Sequence, residues 1–445
     1  MVGGGGAIAG GGGTVAGGGG AVVDGVTVTI TPSVVHARPG SDVQFKAAVM
    51  GATDMMVTWA VRDGASGGSI DAQGNYTAPT QEGTFTVTAT SGKSFGTASV
   101  VVGSPSACSA LMNKGVWEAI APQGVGDTTS VAVDPFDPAT VWLGTTRNGF
   151  FKSLDCGATW THVNTGMNGA QLDSGSLWSM VVDPVDKGTI YLVGAYGALG
   201  LYKSTNGGVD FAQVFTADTE FAKVADQNFV NAVSMEANNH LHLVVSEHGT
   251  CKGYTTSCEA ETTDGGVTWK LTATPLSWGE GGGLQLINAT SWLWGGSEGG
   301  TGTWLTTDNG KTWKQVMPNG KGDANGEFTI RPLVPASDHA YYIGSLDGVM
   351  RSPDGFTWSL VSTNRVVGFA VGDTTLYAID QWSPSFHSAA ISDPMTWKTS
   401  PAPSVLPMDK GCPYLDYDAA HHVLYASCFG NALWRLVTQP DGSVP

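Results

Sequence analysis

The chain has 445 residues, of which 63 are glycine and 15 are tryptophan, and only 13% of its residues are charged. This length allows two or three domains, and the abundance of glycine and tryptophan favours β-rich modules joined by tight turns. The net charge of −17 argues against nucleic acid as a partner, because phosphate binding needs a basic surface. No apolar run reaches the roughly 18 residues that a membrane-spanning helix needs.

Residues 1–25 repeat a seven-residue unit of four glycines followed by three small residues. Such a tract is by default a flexible linker, for instance a tether from a lipid-anchored N-terminus. The alternative is an ordered segment laid against a neighbouring subunit, which would mediate self-association. No signal peptide is recognisable, so we expect a chain that begins after processing or whose export signal has been removed.

Residues 26–103 alternate apolar and polar side chains in short runs separated by turn signals. This pattern predicts an antiparallel sandwich of about seven strands, with Trp59 in its core and with Ile70 and Tyr76 flanking the turn "DAQG". The segment order resembles a bacterial immunoglobulin-like domain over its whole length. The resemblance implies a spacer or a stalk, and no chemistry is evident in it.

Residues 104–113 are predicted to be a linker, and residues 114–445 contain seven pairs of apolar segments. The pairs are "SVAVDPFDPATVWLGT", "SMVVDPVDKGTIYLVG", "AVSMEANNHLHLVVS", "LQLINATSWLWGGS", "RPLVPASDHAYYIGS", "GFAVGDTTLYAID" and "YLDYDAAHHVLYASC". An unpaired "GVWEAIAP" precedes the first pair, and the final "NALWRLVTQ" lacks an outer strand. Pairing these two segments removes the open sheet edges, so we expect Trp117 to lie beside the segment around Trp434.

A turn pattern, Ser/Thr-x-Asp-x-Gly-x-Thr-Trp, recurs along the same region. Clean copies span 153–160, 262–269 and 306–313, and weaker copies span 204–211, 352–358 and 392–397. In each copy the Asp can accept hydrogen bonds from its own turn, the glycine supplies a positive φ, and the Trp fills a gap between units. Their spacing of about 40 to 60 residues is that of propeller blades.

These turns resemble the Asp-box (BNR) repeat of sialidase-like and xyloglucanase-like β-propellers, over residues 112 to 440. The resemblance implies that the turn acids have a structural role and lie away from the ligand face. Those acids are Asp155, Asp264, Asp308 and Asp354. The expected fold class is therefore all-β, an immunoglobulin-like sandwich followed by a seven-bladed β-propeller with strand-swap closure.

Six cysteines allow three plausible disulfides, although sequence alone does not fix the connectivity. Cys251 and Cys258 bracket a loop, and Cys412 and Cys428 stand at opposite ends of a predicted hairpin. This leaves Cys108 for Cys156. An even count with local partners favours an oxidising, extracytoplasmic location, and buried free thiols are the alternative.

The ligand face of a propeller is formed by the loops that join second to third strands and by the connections between blades. Loops of the first kind supply Arg147, Glu247, His248, Glu298, Asp347, Asp380, Trp382 and His387. Connections of the second kind supply Asp173, Trp178, Trp278, Glu280 and Glu327. Tryptophans and carboxylates are common in sugar sites, and a suitably spaced carboxylate pair could hydrolyse a glycosidic bond.

Each candidate has a plainer interpretation. Glu247 with His248 could form a base or a metal site, but a His beside a disulfide loop is more often a surface residue. His421 and His422 lie in a hairpin turn, where exposure outranks metal binding. Trp278, among glycines, is the strongest binding candidate. No established catalytic, phosphate-binding or metal-binding motif is present, so we expect neither cofactor nor metal.

Two related enzyme families can be compared residue by residue. Sialidases carry a Phe-Arg-Ile-Pro motif, whereas the nearest segment here, "FTIRPLVP", displaces Arg331 and lies far along the chain, which argues against a sialidase. The first blade is similar to that of xyloglucan-active hydrolases with two propellers, in which a catalytic Asp follows the second strand. In the matching "LGTTRNG" that position is Thr146.

The sequence thus favours a secreted or surface-displayed binding or structural protein, with a propeller head on an immunoglobulin-like stalk. Its expected partner is a glycan or another extracellular polymer, and residues 1–25 serve as a tether or an assembly element. The alternative is a glycoside hydrolase or lyase acting on an extracellular polysaccharide.

Overall fold

The computed structural model of the protein divides the chain into two compact units, with the boundary between Ala107 and Cys108. It describes residues 26–31, 34–37, 39–40, 42–52, 54–81, 83–102, 108, 111, 115–217, 230–249, 251–253, 255–274, 281–296, 302–317, 332–345, 347–364, 366–380, 385–401, 412–439 and 441–444. The glycine-rich residues 1–25 lie outside these ranges. The described secondary structure is almost entirely strand, which confirms the all-β class. Among the described residues, no helix has the length and apolar character needed to cross a bilayer.

In the first unit, the described residues form nine strands and one 3₁₀ turn, Gly64–Gly67. The strands are β1 (Thr27–Thr31), β2 (Val34–Ala37), β3 (Asp42–Gln44), β4 (Lys46–Met50), β5 (Thr58–Val61), β6 (Ser69–Ile70), β7 (Asn75–Thr77), β8 (Gly83–Ser91) and β9 (Ser94–Val102). They form sheets in the orders β2-β9-β8-β5, β3-β7-β6 and β1-β4.

One of the strands beyond the predicted seven arises because the segment 42–50 changes sheets at Phe45. Before this residue β3 pairs with β7, and after it β4 pairs with β1. The Phe45 amide donates instead to the Gly74 carbonyl at 2.9 Å, and its ring is fully buried. Tyr76 is also fully buried, whereas Trp59, expected in the core, is only partly buried.

The described residues of the second unit form seven antiparallel sheets, six of four strands and one of three. Sheet 1 comprises β11 (Thr128–Val133), β12 (Val141–Thr145), β13 (Phe150–Ser153) and β14 (Thr161–His162); sheet 2 comprises β15 (Ser176–Val182), β16 (Ile190–Ala195), β17 (Gly200–Ser204) and β18 (Ala212–Phe215). Sheet 3 comprises β19 (Val230–Glu236), β20 (Asn239–Glu247), β21 (Cys258–Thr262) and β22 (Lys270–Ala273); sheet 4 comprises β23 (Gly281–Asn288), β24 (Ser291–Gly296), β25 (Thr303–Thr306) and β26 (Lys314–Met317). Sheet 5 comprises β27 (Tyr341–Ser345), β28 (Gly348–Ser352) and β29 (Ser359–Leu360); sheet 6 comprises β30 (Val366–Val371), β31 (Thr375–Asp380), β32 (Ser385–Ala390) and β33 (Trp397–Pro401). Sheet 7 comprises β34 (Tyr414–Asp418), β35 (Val423–Ser427), β36 (Leu433–Val437) and the early strand β10 (Trp117–Ala119).

The core of this unit consists of apolar layers between successive sheets. The first strands of sheets 1 to 4 contact one another in order, β27 contacts β30, β30 contacts β34, and β34 contacts β11. Sheets 4 and 5 meet through a cluster that includes Leu293 and Ile343. Gly144 shows how closely the backbones approach, because a Cβ built there would lie 2.7 Å from the Leu177 carbonyl oxygen of the next sheet.

Strand β10 is the outer strand of sheet 7, although it precedes sheet 1 in the chain. Trp117 pairs with Leu436, and Ala119 pairs with Trp434. The predicted pairing of these two segments is confirmed. The edge of β36 is thereby covered instead of being open to another chain.

Sheet 5 has one strand fewer than predicted. Residues 332–340 are the described residues that precede β27 in "RPLVPASDHAYYIGS", and they contain no strand. Pro332 and Pro335 lie in this stretch and lack the N–H that a central ladder requires. Leu333 still packs in the core between sheets 4 and 5, so the segment fills the position without forming a ladder.

The recurrent turns are stapled by their own side chains. In the turn after β13, Asp155 accepts hydrogen bonds from the Thr159 amide at 2.8 Å and from its hydroxyl at 2.6 Å. Asp264, Asp308 and Asp354 make the matching contacts in their turns. Hydrogen bonds from Thr357 and Phe356 amides lower the pKa of Asp354 to about 2. Trp160 donates to the Ile120 carbonyl just after β10, and Trp269 donates to the Val214 carbonyl of sheet 2, so these two turns also join neighbouring sheets.

Disulfides join the three expected cysteine pairs. These are Cys108–Cys156, Cys251–Cys258 and Cys412–Cys428, all in the second unit. The first ties the segment preceding β10 to the turn after β13, and the third closes the hairpin of β34 and β35. A cross-link of this kind stabilises mainly by restricting the unfolded chain.

We expect Trp117→Ala to lower the free energy of unfolding by about 3 kcal/mol, because it removes a large aromatic contact from the closure strand. The Trp117 ring packs edge-on against Phe386 with centroids 5.1 Å apart. Chemical denaturation measures the effect. Val116→Ala is the control, since Val116 is 54% exposed, and equal effects of the two changes would contradict the closure role.

Glu259 is a buried acid between sheets 3 and 4. Its Oε2 accepts a hydrogen bond from the Trp292 indole at 2.5 Å, while its Oε1 is buried without a hydrogen-bond partner among the described residues. Loss of hydration on burial raises the pKa of Glu259 to about 8. The carboxyl group is therefore protonated in the folded protein at neutral pH.

This raised pKa predicts a pH-dependent stability. The folded state holds the proton up to pH about 8, whereas the unfolded state releases it near 4.5. The free energy of unfolding should then fall as pH rises through this window, by a few kcal/mol in total. Glu259→Gln should remove that slope while retaining an acceptor for Trp292. Denaturation series at several pH values test it, with the exposed Asp393→Asn as control; an unchanged slope in Glu259→Gln would contradict the assignment.

Candidate functional site

The candidate site lies at the end of the second unit that is opposite the stapled turns. We call this end the loop end; it comprises the connections between second and third strands and those between successive sheets. Its described segments are 126–127, 146–149, 163–178, 195–198, 247–249, 251–253, 255–258, 345, 347–348, 380 and 428–431.

Three half-buried aromatic side chains meet at the loop end. Trp178 on β15 lies 5.3 Å from Tyr196 and 6.1 Å from Phe429, measured between ring centroids. Tyr196 follows β16 in sheet 2, and Phe429 follows β35 in sheet 7. The aromatic cluster therefore spans the two sheets on either side of sheet 1. Half-buried aromatic rings of this kind offer apolar surface on which sugar rings can stack.

In the connection that leads to Trp178, a carboxylate is paired with the histidine that ends β14. His162 Nε2 lies 2.7 Å from Asp173 Oδ1, and the Asn164 side-chain amide donates to the same oxygen at 2.7 Å. Asp173 belongs to the short helix α1 (Gly169–Ser174), in the connection between sheets 1 and 2. Its side chain is 41% exposed, so the carboxylate is held in place and still reachable from solvent.

Glycine at position 149 makes this pair possible. A Cβ built on Gly149 would lie 2.0 Å from Asp173 Oδ1 and 2.6 Å from His162 Nε2, and its φ is +81°. The same loop is joined to the next connection, since the Arg147 amide donates to the Gly175 carbonyl at 2.8 Å. Arg147 is exposed. The predicted residues Arg147, Asp173 and Trp178 thus lie in segments that contact one another.

A second histidine and carboxylate lie at the loop end of sheet 6. His387 lies within β32 and not in the predicted loop; its Nε2 is 2.9 Å from Asp380 Oδ2 without hydrogen-bond geometry, and its Nδ1 is 3.0 Å from the Thr399 hydroxyl. The His387 side chain is 6% exposed and that of Asp380 is 19% exposed. Asp380 Oδ1 is buried without a hydrogen-bond partner among the described residues. The structure therefore places two of the predicted residues, Asp380 and His387, side by side.

Glu247 and His248 follow a different pattern. Both are buried, at 1% and 6% exposure, at the end of β20. The preference for His248 as a surface residue was therefore wrong. The disulfide between Cys251 and Cys258 lies against the Glu247 carboxylate at this strand end.

The described residues contain three groups of possible metal ligands, and two of these include cysteines that form disulfides. Glu247 lies near Cys251 and Cys258, but these cysteines form a disulfide. At the opposite end, Asp183 accepts hydrogen bonds from its own turn and from His240 at 2.9 Å. These contacts fix the β15–β16 turn and join it to His240 of β20.

The remaining predicted residues are less informative. Asp347 lies in the tight β27–β28 turn, where its amide donates to the Ser345 hydroxyl at 3.2 Å. Five candidates lie outside the described residues, namely Trp278, Glu280, Glu298, Glu327 and Trp382. Sequence reasoning missed Tyr196, Phe429 and His162. Tyr196 and Phe429 lie in loops that the ligand-face rule selects, so extending that rule to every aromatic residue would find them.

Comparisons with known proteins give limited similarity. No known family model matches the chain. A stretch of 84 residues is 39% identical to the "Probable oligoxyloglucan-reducing end-specific xyloglucanase" of Neosartorya fischeri, covering 19% of this chain and 10% of that protein. The extracellular domain of a hybrid two-component system from B. thetaiotaomicron superimposes with a TM-score of 0.51 at 12% identity, over 73% of this chain and 42% of that chain. The GH74 xyloglucanase of Xanthomonas campestris gives a TM-score of 0.29 at 15% identity, over 87% of this chain and 68% of that one.

These similarities are evidence about the fold and not about function. The chain spans less than two thirds of the fungal protein and of the bacterial extracellular domain. The superposition on the bacterial extracellular domain and the successive four-stranded sheets indicate an all-β fold of the β-propeller type.

We expect Gly149→Ala to separate Asp173 from His162, because the added methyl group would occupy the position of the carboxylate oxygen. Gly207→Ala is a matched control, since Gly207 also has a positive φ but has open space around it. The control should cost about 1 kcal/mol of stability from backbone strain alone. Gly149→Ala should cost roughly 2–4 kcal/mol and shift the ring resonances of His162 in NMR spectra. Equal costs and an unshifted His162 would count against a tightly built pair.

Proposed function

We propose that the second unit is a seven-bladed β-propeller of the Asp-box type, and that the first unit is an immunoglobulin-like module. The stapled turns and the pairing of β10 with β36 support the former. Three disulfides support an extracellular location, because disulfides persist in oxidising compartments.

The proposed function is hydrolysis of an extracellular polysaccharide that is bound at the loop end. The observation that carries this proposal is the loop-end cluster of Trp178, Tyr196 and Phe429, with the histidine-paired carboxylate Asp173 in the connection that leads to Trp178. Stacking surfaces beside carboxylates suit a ligand with apolar ring faces and many hydroxyl groups. The partial similarity to a protein named as a xyloglucanase makes a β-linked glucan such as xyloglucan the first substrate to test.

Hydrolysis of a glycosidic bond requires two carboxyl groups. One protonates the departing oxygen, and the other either activates water or attacks the sugar carbon. Asp173 and Asp380 are the described loop-end carboxylates that lie against a histidine. Asp173 lies between sheets 1 and 2 and Asp380 ends β31 in sheet 6, so we propose each as a candidate for one of these roles; Glu280, Glu298 and Glu327 stay predictions for the same face.

A second candidate function is polysaccharide binding without cleavage. It is favoured by Thr146, which occupies the position where the similar xyloglucan-active hydrolases carry a catalytic Asp. Thr146 is held in the loop-end backbone by a bridge to Ser176. Under this alternative the aromatic cluster binds the polymer, and Asp173 and Asp380 are hydrogen-bonding groups only.

Measuring sugar release from a panel of β-glucans, including xyloglucan, tests hydrolysis. We expect Asp173→Asn and Asp380→Asn each to lower the rate by 100-fold or more, the scale of general acid–base catalysis. Asp393→Asn, in an exposed turn at the opposite end, should retain full activity. Absence of product from every glucan with the unmodified protein would reject hydrolysis and leave the binding function.

Binding is tested separately through the aromatic cluster. We expect Trp178→Ala to weaken polysaccharide binding about tenfold, a loss of roughly 1.4 kcal/mol, because the stacking surface is removed. Affinity gel electrophoresis with xyloglucan measures this change. Phe356→Ala is the control, since Phe356 is an exposed aromatic in a stapled turn away from the loop end. Equal binding by both variants would place the ligand elsewhere.

A further inference from the structure

A pocket lies at the outer edge where sheet 7 meets sheet 1, apart from the loop end. Its volume is about 420 Å³, and its walls include Gln123, Gly157, Thr159, Trp160 and Arg435. None of these residues belongs to the loop end as defined above. The volume is within the range of small-ligand sites, roughly 300–1,000 Å³.

Arg435 gives this pocket an available hydrogen-bond donor. The residue is 6% exposed. Its Nε donates to Glu118 Oε2 at 2.9 Å, and its Nη1 donates to the Cys156 carbonyl at 2.8 Å. The third nitrogen, Nη2, makes no hydrogen bond to any described residue, and the side chain lines the pocket. A buried guanidinium held on two sides is a rigid donor toward a ligand.

The electrostatic surroundings select the kind of ligand. Glu118 neutralises Arg435, and the carboxylate of Asp155 lies beside the pocket wall, bonded to Thr159. An anion would therefore meet little net positive charge. A neutral group with hydroxyl oxygens could accept from Nη2 without this penalty.

The side chains that line the pocket also favour a neutral ligand with hydroxyl groups. The Trp160 indole is fixed by its hydrogen bond to the Ile120 carbonyl at 2.6 Å. The exposed Gln123 adds an amide that can both donate and accept. A fixed aromatic ring, a guanidinium and an amide around one pocket are groups that bind a sugar ring through its apolar face and its hydroxyls.

We propose that this edge pocket binds one neutral sugar residue of the polysaccharide and acts as a second binding site. The inference rests on the proposed function for the class of ligand. The closure of the fold creates the pocket, because its two walls are the segment after β10 and the stapled turn of sheet 1. A polymer held here would remain attached while another part of it occupies the loop end.

The test fills the pocket without disturbing Arg435. Ala158 is exposed at the pocket wall, and Val267 occupies the same position of the stapled turn in sheet 3, where it is 80% exposed. We expect Ala158→Trp to weaken binding of xyloglucan polymer about tenfold, whereas Val267→Trp should leave it unchanged. Gln123→Ala should weaken binding in the same direction. Affinity electrophoresis and calorimetry measure the affinity of each variant for the polymer.

The outcomes separate this site from the loop end. If Trp178→Ala weakens binding and Ala158→Trp does not, the edge pocket is rejected and the proposed function stands. If Ala158→Trp weakens binding and Trp178→Ala does not, the edge pocket stands and the loop-end assignment fails. Inorganic sulfate is the probe for an anion. Stabilisation by sulfate in thermal shifts that is lost in Ala158→Trp would overturn the neutral-sugar assignment.

Discussion

Each sheet of the second unit has two apolar faces, and only another sheet can cover them. Sheets 1 to 7 solve this by packing in succession, with the last against the first. The pairing of β10 with β36 is the point on which this arrangement depends, because it places the first and last strands of the unit in one sheet. The edge pocket with Arg435 exists only because the two ends meet there.

Burial on both faces also explains the polar groups between sheets 3 and 4. His242 is 1% exposed and lies between Glu236 at 2.7 Å and Glu261 at 3.2 Å. These two carboxylates raise the pKa of His242 against the opposing effect of burial. Removing one partner of such a buried network leaves an uncompensated charge, which typically costs several kcal/mol. The neighbouring Glu259 avoids that cost by remaining protonated.

Much of the fold could be predicted because its signals are local and repeated. The stapled turns, the hairpin cysteines and the unpaired segment around Trp117 are visible without tertiary information. Glu259 shows where this reasoning fails. In "CEAET" it alternates with Cys258 and Ala260, which suggests an outward-facing side chain, but in a stack of sheets both faces are covered. His162 was missed for a related reason, since its partner Asp173 arrives through a helix 11 residues away.

The shared seventh sheet has a consequence for biogenesis. Strand β10 is synthesised early, and its backbone groups gain their hydrogen-bond partners only after β36, more than 300 residues later, has been made. Contacts between such distant segments form slowly, because a long intervening chain must first be ordered. The growing polypeptide therefore carries an unpaired strand until β36 has been made, and unpaired strand edges are sites at which folding chains aggregate.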